Sequence, residues 1–312
     1  MKPDRTPALL GAILAAIVVG GLALPQWLLF ILTIACAQGL VVLGLSLLIR
    51  AGLVSFGQAL FYCVGAYTAG GLARAFGVSD VFLQMLAGAA SAAFVAFVLG
   101  FLLARYRGIF FGLLSLALSM IFYGLIVKSE TLGSTDGFNV ATAPLFGVRP
   151  DADWVRYAVL VAAACMTLAA AFLTHRYLKT PLGSLGPAIK DNEIRVEYMG
   201  ASVRYAIHVN YVIAAALAGA GGALAASTVG HIDPEMAYWT TSGEFVFIAI
   251  LAGSGNVVAP FLGALVFGAI HSVAFDISPN TWQMSMGIAL LLAIVFLPDG
   301  LWSLFVRRRD TR

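Results

Sequence analysis

The sequence predicts an all-α fold: a polytopic membrane helix bundle of about ten crossings, some short or broken, in a single membrane domain over residues 1–312. Composition is the first reason, because 61% of the chain is hydrophobic and only 11% is charged, against about 25% charged in soluble proteins. The second reason is the length of the charge-free runs, since a spanning helix needs roughly 20 apolar residues. The main charge-free runs are 6–49, 81–104, 108–127, 157–174, 245–273 and 277–298.

These runs divide at their glycine, proline and polar residues into ten predicted crossings: 8–24, 27–49, 53–73, 81–104, 108–127, 157–174, 205–229, 243–253, 257–275 and 282–300. The weakest predictions are 53–73, which is dotted with polar residues, and 243–253, which is short for a crossing. The first run follows basic residues as a secretory leader does. It lies so close to the second run, however, that a retained helical hairpin is expected.

The basic residues are distributed unequally between the two sides of this arrangement. An even number of crossings puts both termini on one side, which then holds Lys2, Arg5, Arg50, Arg105, Arg107, Arg176, Lys179, Lys190, Arg195, Arg204, Arg307, Arg308, Arg309 and Arg312. The other side holds only Arg74, Lys128, Arg149 and Arg156. Because basic residues concentrate in cytoplasmic loops, both termini and the polar loop 176–204 are predicted to be cytoplasmic.

Several classes of function lack support in the sequence. The net charge is only +3 and no basic patch is present, so no binding of nucleic acid is expected. The expected environment of the chain is a lipid bilayer. The chain has no Gly-x-x-x-x-Gly-Lys-Ser/Thr, no His-Glu-x-x-His and no Gly-x-Ser-x-Gly, so neither its own ATP site nor an enzyme is predicted. Its three cysteines lie in apolar runs without paired spacing, which predicts neither a disulfide nor a metal site.

Two apolar stretches are irregular, one from Gly52 to Tyr67 and one from Glu244 to Pro260 with a Gly-Ser-Gly-Asn break. Non-helical backbone at membrane depth survives only when it is buried in protein or faces a water-filled cavity. Interrupted segments of this kind point to a transport path. The candidate residues of such a path are Ser55, Gln58, Asp136, Asn139, Glu244 and Asn256.

Some of these residues have a second interpretation. Glu244 follows Thr241 at capping-box spacing, so it caps a helix, contacts a solute, or does both. Asp136 and Asn139 lie in Thr135-Asp-Gly-Phe-Asn139, which is a turn first and the outer mouth of a path second. An ion-driven carrier is disfavoured, because carboxylates inside spans usually mark ion paths and Glu244 alone abuts one.

Small residues cluster in Gly219-Ala-Gly-Gly-Ala223 and in Gly263-Ala-Leu-Val-Phe-Gly268. At a spacing of about four they let helices approach closely. The sequence leaves open whether these contacts are made within one subunit or between subunits.

The loop 176–204 contains a predicted amphipathic helix from Pro187 to Gly200. Its apolar stripe consists of Ile189, Asn192, Val196 and Met199. The charged residues Lys190, Asp191, Glu193, Arg195 and Glu197 face elsewhere, with Asp191 and Arg195 spaced to pair. The helix either lies on the bilayer surface or sits in the groove of a cytoplasmic protein. Its mixed charges favour the protein groove.

An ordered set of motifs over about residues 50–305 resembles the M-type permease subunit of branched-chain amino acid ABC importers. The matching segments are Gly52-Leu-Val-Ser-Phe-Gly-Gln-Ala-Leu-Phe61, Gly65-Ala-Tyr67, Arg107-Gly-Ile-Phe-Phe-Gly-Leu-Leu-Ser-Leu-Ala-Leu118, Leu132-Gly-Ser-Thr-Asp-Gly-Phe138, Pro181-Leu-Gly183, Ala188-Ile-Lys-Asp-Asn-Glu-Ile-Arg195, Met199-Gly200, Trp239-Thr-Thr-Ser-Gly-Glu244, Leu251-Ala-Gly-Ser-Gly255, Pro260-Phe-Leu-Gly263 and Leu297-Pro-Asp-Gly-Leu301. The chain departs from the family pattern at Leu132-Gly-Ser134, where Thr-Gly-Gly is usual, and at Gln58, where histidine is usual.

The resemblance implies a bacterial inner-membrane import permease that binds no cofactor itself. Its expected partners are a second homologous permease, two cytoplasmic ATPase subunits that bind ATP and Mg, and a periplasmic solute-binding protein. The coupling helix that docks on an ATPase would comprise Pro187, Ala188, Ile189, Lys190, Asn192, Glu193, Val196, Met199 and Gly200. Urea, amides and other small polar solutes remain alternatives within the family. A self-sufficient channel or ion-coupled carrier is the alternative from another class.

Overall fold

The computed structural model describes residues 6–140, 152–253, 255–277, 281–297 and 300–304. In these ranges the chain forms α1 (Thr6–Gly21), α2 (Gln26–Arg50), α3 (Gln58–Phe76), α4 (Val81–Leu103), α5 (Gly108–Val127), α6 (Ala152–Leu178), α7 (Pro181–Tyr198), α8 (Val203–Val229), α9 (Trp239–Ala252), α10 (Ala259–Ile277) and α11 (Trp282–Phe296). The only strands within them are β1 (Phe138–Asn139) and β2 (His231–Ile232), which pair antiparallel. The all-α prediction is confirmed.

Ten of these helices overlap the ten predicted crossings, and α7 occupies the predicted polar loop. Six are long and apolar enough to cross a bilayer: α2, α4, α5, α6, α8 and α10. The apolar helices α1, α9 and α11 are shorter. The protein is therefore a polytopic membrane bundle, while the full count of crossings stays a prediction.

The bundle has two ends. The end that carries α7 also holds the last turn of α2 and the start of α8, and we call it the α7 face. The other end, which we call the opposite face, holds the end of α8, the start of α6 and the two-stranded pair. Basic side chains of the predicted cytoplasmic set, including Arg50, Arg107 and Lys190, lie at the α7 face.

Helix α8 is the centre of the bundle, and its small residues explain why. A Cβ atom at Gly222 would overlap the backbone oxygen of Tyr62 in α3, and one at Gly221 would overlap that of Ala37 in α2. Gly219 meets the backbones of Gly65 in α3 and Gly88 in α4. Three helices thus touch α8 backbone to backbone, as small residues permit. The first small-residue cluster therefore packs within this subunit.

The second small-residue cluster, 263–268, also packs inside the chain. A Cβ atom at Gly263 would lie 2.7 Å from the side chain of Ala252 in α9, so α9 and α10 approach closely there. Gly268 has only Ile31 of α2 nearby, at 3.9 Å, and borders open space. The question left open by the sequence is answered for Gly263 in favour of contacts within one subunit.

The connection from α2 to α3 is the first predicted break, and the structure confirms it. Residues 51–57 are not helical, and they alternate between buried and less buried positions as an extended chain does. The amide of Phe56 donates to Ser115 Oγ of α5 at 3.0 Å. The amide of Ala59, in the first turn of α3, donates to Ser242 Oγ of α9 at 3.1 Å. These hydroxyls satisfy backbone groups that would otherwise be orphaned inside the bundle.

The second predicted break, between α9 and α10, is also confirmed. Helix α9 ends at Ala252, and its C-cap is Gly253, whose backbone angles (φ 78, ψ 159) are accessible mainly to glycine. Asn256 Oδ1 then accepts a hydrogen bond from the amide of Val258 at 3.1 Å, just before α10 begins at Ala259. Asn256 therefore shapes the start of α10. Ser254, within the predicted Gly-Ser-Gly-Asn break, lies outside the described residues.

Candidate functional site

Helix α7 begins six residues earlier than the sequence predicted. Thr180 is its N-cap, with Oγ1 accepting from the amide of Gly183 at 3.2 Å, and Pro181 occupies the first turn. A hydroxyl cap followed by proline is a favourable helix start. The prediction that Pro187 begins the helix is wrong, because Pro187 lies inside α7. The predicted end agrees with the structure, since Met199 is the C-cap and Gly200 follows with φ 87.

A kink at Asn192 divides α7 into two helical pieces. The Asn192 backbone is extended (φ −163, ψ 99), and its Oδ1 accepts from the amide of Arg195 at 3.0 Å. This is the geometry of an N-cap, so the second piece starts afresh after Asn192. Asp191 and Arg195 consequently lie on different pieces. The predicted ion pair between them is not formed among the described residues.

The inner side of α7 is anchored in the protein itself. Ile189 is only 5% exposed and Val196 only 1%, and both belong to the main hydrophobic core. Gly186 packs against Arg50 at the end of α2, and the Lys190 stem packs over Gly52. The predicted stripe of Ile189, Asn192, Val196 and Met199 is therefore wrong as a single surface. The kink turns its members to different sides.

The outer side of α7 carries an exposed patch formed by Ile194, Tyr198 and Met199. Their exposed fractions are 64%, 89% and 69%. We call these three residues the α7 patch. Of the other predicted coupling residues, Pro187, Lys190, Asn192 and Gly200 are exposed, and Ala188 and Glu193 are partly buried. The three patch residues are exposed apolar side chains on a segment that is otherwise rich in charged residues.

An ion pair joins α7 to the connection between α4 and α5. Arg107 Nε donates to Glu193 Oε2 at 2.7 Å, and Arg107 Nη1 donates to the backbone oxygens of Ala104 and Tyr106. The Arg107 and Glu193 side chains are 28% and 41% exposed, so such a pair contributes only about 0–1 kcal/mol. The pair mainly holds α7 in position, because it connects α7 with the start of α5.

A cavity of about 800 Å³ opens toward the opposite face between α2, α9 and α10. Trp27, Arg156, Val229 and Asp276 line it near the helix ends at that face. Deeper along α2 lies Gln38, about 18 Å from the start of the helix at 1.5 Å per residue. Glu244 and Tyr62 line the same cavity. A second cavity of about 560 Å³, between α2, α4, α6 and α8, is almost wholly apolar and suits hydrocarbon.

Glu244 lines the 800 Å³ cavity, and it does not cap α9, although the sequence had predicted a cap. The N-cap of α9 is Tyr238, which makes no side-chain capping bond. Thr241 Oγ1 donates to the backbone oxygen of Glu235 at 3.0 Å, and Ser242 Oγ caps α3. The capping-box prediction is therefore wrong, because α9 begins two residues before Thr241 and the Thr241 hydroxyl bonds Glu235. Glu244 forms no hydrogen bond or ion pair with another described residue.

The structure separates the remaining predicted path residues. Ser55 Oγ accepts from the amide of Gly57 at 3.3 Å, and Gln58 is fully buried beside it with both amide atoms unpaired among the described residues. Asp136 lies in an exposed turn and accepts from Thr135 Oγ1 at 3.1 Å. Asn139 Oδ1 contacts His231 Nδ1 at 2.8 Å across the strand pair. Of the six predicted residues, Glu244 alone lines the large cavity.

Sequence reasoning missed Gln38 and Tyr62 as cavity residues. Gln38 is the only charged or carboxamide residue within the predicted crossing 27–49, and its Oε1 is buried without a partner among the described residues. That isolation in an apolar run was the available signal. Tyr62 lies in the irregular stretch 52–67, where its exposure to a cavity depends on packing with α8 and α9.

Comparison with known proteins agrees with this architecture. The family described as branched-chain amino acid transport system / permease component matches residues 27–297. The high-affinity branched-chain amino acid transport system permease protein LivM is 29% identical over 284 residues in Salmonella typhimurium, and 28% identical over 284 residues in Escherichia coli. Each alignment covers 84% of this chain and 65% of the relative, so the chain spans less than two thirds of the length of these relatives.

A third relative is matched over most of its length. The high-affinity branched-chain amino acid transport system permease protein BraD of Pseudomonas aeruginosa is 24% identical over 285 residues, which cover 86% of this chain and 92% of BraD. No solved structure gives a significant match. The family match extends from the first turn of α2 to the residue after α11. The chain therefore belongs to the family of permease components of branched-chain amino acid transport systems.

Proposed function

We propose that the protein is the transmembrane permease subunit of an ATP-driven importer for branched-chain amino acids. It passes the solute from a periplasmic binding protein to the cytoplasm by alternating access. The importer contains a second homologous permease and two cytoplasmic ATPase subunits, which hold ATP and Mg. This chain contributes the membrane path and no nucleotide site. The family match and the names of the relatives support the solute class.

The observation that carries the proposal is the α7 patch. Ile194, Tyr198 and Met199 are exposed apolar side chains on α7, the charged segment that joins α6 to α8 at one end of the bundle. Tyrosine is one of the residues that contribute most to protein interfaces. A helix docked in a groove of a soluble partner accounts for such a surface. The partner in this family is an ATPase subunit, and the α7 patch is its contact.

The attachment of α7 suits the transmission of force. Ile189 and Val196 fix it to the core, and Arg107 holds it at Glu193. Two residues join α6 to α7, and four join α7 to α8, so the flanking helices follow any displacement of α7 closely. Closure of the ATPase subunits moves α7 as one body and tilts α6 and α8. The solute path then opens to one face of the bundle and closes to the other.

The proposed orientation puts the α7 face and both termini in the cytoplasm and the whole chain in the bacterial inner membrane. The basic residues at the α7 face support it through the positive-inside rule. The large cavity and the strand pair then face the periplasm, where the binding protein docks.

Reconstitution tests the proposed function. Proteoliposomes with this chain, its partner permease and both ATPases should take up leucine only when ATP and binding protein are supplied. Vesicles with this chain alone are the control and should show no flux. Flux without ATPases would contradict the proposal and support a channel or ion-coupled carrier. Uptake of urea or a short amide in place of leucine would correct the solute class.

A further inference from the structure

We propose that the 800 Å³ cavity between α2, α9 and α10 binds the amino acid during import, with Glu244 accepting its ammonium group. Gln38 Oε1 accepts from the same ammonium group, and the Tyr62 hydroxyl donates to the carboxylate. This assignment rests on the proposed function, since it gives the imported zwitterion its site in the membrane.

The argument begins with the polar groups that the fold leaves unsatisfied. Glu244 is partly buried in the cavity wall and has no counter-ion among the described residues. Gln38 Oε1 is buried without a partner, and the Tyr62 hydroxyl makes no hydrogen bond in the described part of the chain. Buried polar groups are normally paired, and an unpaired carboxylate in a membrane is costly. A ligand with matching groups satisfies all three.

The three groups differ in chemistry in a way that fits a zwitterion. A carboxylate accepts hydrogen bonds only, so Glu244 suits an ammonium group. The amide oxygen Gln38 Oε1 also accepts only and suits the same ammonium group, whereas the Tyr62 phenol can donate and suits a carboxylate. Charge-assisted hydrogen bonds of this type are roughly twice as strong as neutral ones. A ligand without an ammonium group would leave the Glu244 carboxylate unsatisfied.

One wall of the cavity fits the aliphatic side chain. Phe30, Ile34 and Phe267 form an apolar wall next to the polar groups. The volume of about 800 Å³ lies within the range of about 300–1,000 Å³ that small-molecule sites occupy. The opening lies at the opposite face, which the proposed orientation turns toward the binding protein. A polar end and an apolar wall together favour a branched-chain amino acid over urea.

The test uses the complete transporter in proteoliposomes, with leucine uptake and binding-protein-stimulated ATP hydrolysis measured together. Glu244→Gln should lower leucine uptake by about tenfold or more, since a charged hydrogen bond is lost. ATP hydrolysis should stay near wild type, because α7 is untouched. Glu244→Asp keeps the carboxylate and should restore part of the uptake. Glu235→Gln is the matched control, since Glu235 is exposed at the opposite face and does not line the cavity.

Gly268→Leu provides an independent variant. Gly268 borders the cavity, and a Cβ atom there would have only Ile31 within 4 Å, at 3.9 Å, so a leucine is expected to extend into the cavity. Uptake should fall in this variant too, with assembly unchanged. Normal uptake in Glu244→Gln overturns the assignment, and if that variant fails to assemble, normal uptake in Gly268→Leu overturns it. Absence of leucine uptake in the wild-type complex would instead overturn the proposed function.

Discussion

Replacing Tyr198 with aspartate is expected to abolish ATP-dependent uptake while the protein still inserts into the membrane. Tyr198 is 89% exposed in the α7 patch, so the change removes little contact inside the chain. An aromatic anchor of an interface typically contributes at least about 2 kcal/mol, or roughly 30-fold in affinity. A buried unpaired aspartate adds a desolvation cost. Ile194→Asp should act in the same way.

The measurement is co-purification of the ATPase subunits with the permease, followed by uptake in proteoliposomes. Leu132→Asp is the matched control, because Leu132 is also an exposed apolar residue but precedes β1 toward the opposite face. It should retain the ATPases. If Tyr198→Asp also retained them in full, the α7 patch would lie elsewhere in the assembly, for instance on the bilayer surface, and the docking proposal would be wrong.

Gly222→Leu is expected to prevent the bundle from folding. Even a Cβ atom at this position would overlap the backbone oxygen of Tyr62, and the neighbouring residues Gly219 and Gly221 are also too close to other helices for a Cβ atom. Overpacking usually costs about 1–3 kcal/mol when side chains can move aside. Here the obstacle is backbone, so the cost should exceed that range. The chain should then yield little monodisperse protein in detergent.

Gly124→Leu is the control for this variant. Gly124 lies in α5 with nothing within 4 Å of a Cβ atom, so leucine should be tolerated there. Size-exclusion chromatography after heating gives the temperature at which half of each variant is lost. Equal temperatures for Gly222→Leu and Gly124→Leu would contradict the central position of α8 in the bundle.

The positions of the helices could be predicted from the sequence because they depend on the local run of apolar residues. A charge-free run of sufficient length enters or crosses the bilayer, and there it forms a helix because a helix pairs the backbone N–H and C=O groups within the segment. The breaks before Gln58 and after Ala252 could also be predicted, since glycine and polar residues interrupt the runs. The burial of α8 was signalled by Gly219-Ala-Gly-Gly-Ala223, although only the structure identifies its neighbours.

The details of the candidate sites depended on contacts that the sequence does not display. Thr180 rather than Pro187 determines where α7 starts, and the Asn192 cap changes the helical phase within it. A stripe drawn at constant spacing therefore combined Val196, which faces the core, with exposed residues. Thr241 looked like a helix cap, but its hydroxyl bonds the chain at Glu235.

The central claim is that an ATPase subunit covers the α7 patch on the cytoplasmic side of the membrane. The most direct test is a single cysteine at Met199, in a chain with Cys36, Cys63 and Cys165 replaced, treated with a membrane-impermeant maleimide. Leu132→Cys in the same background is the control and should label from outside intact cells. The account predicts that Met199→Cys labels only in inverted vesicles, and slowly until the ATPases are stripped away. Labelling from outside intact cells, or a rate unaffected by the ATPases, would contradict it.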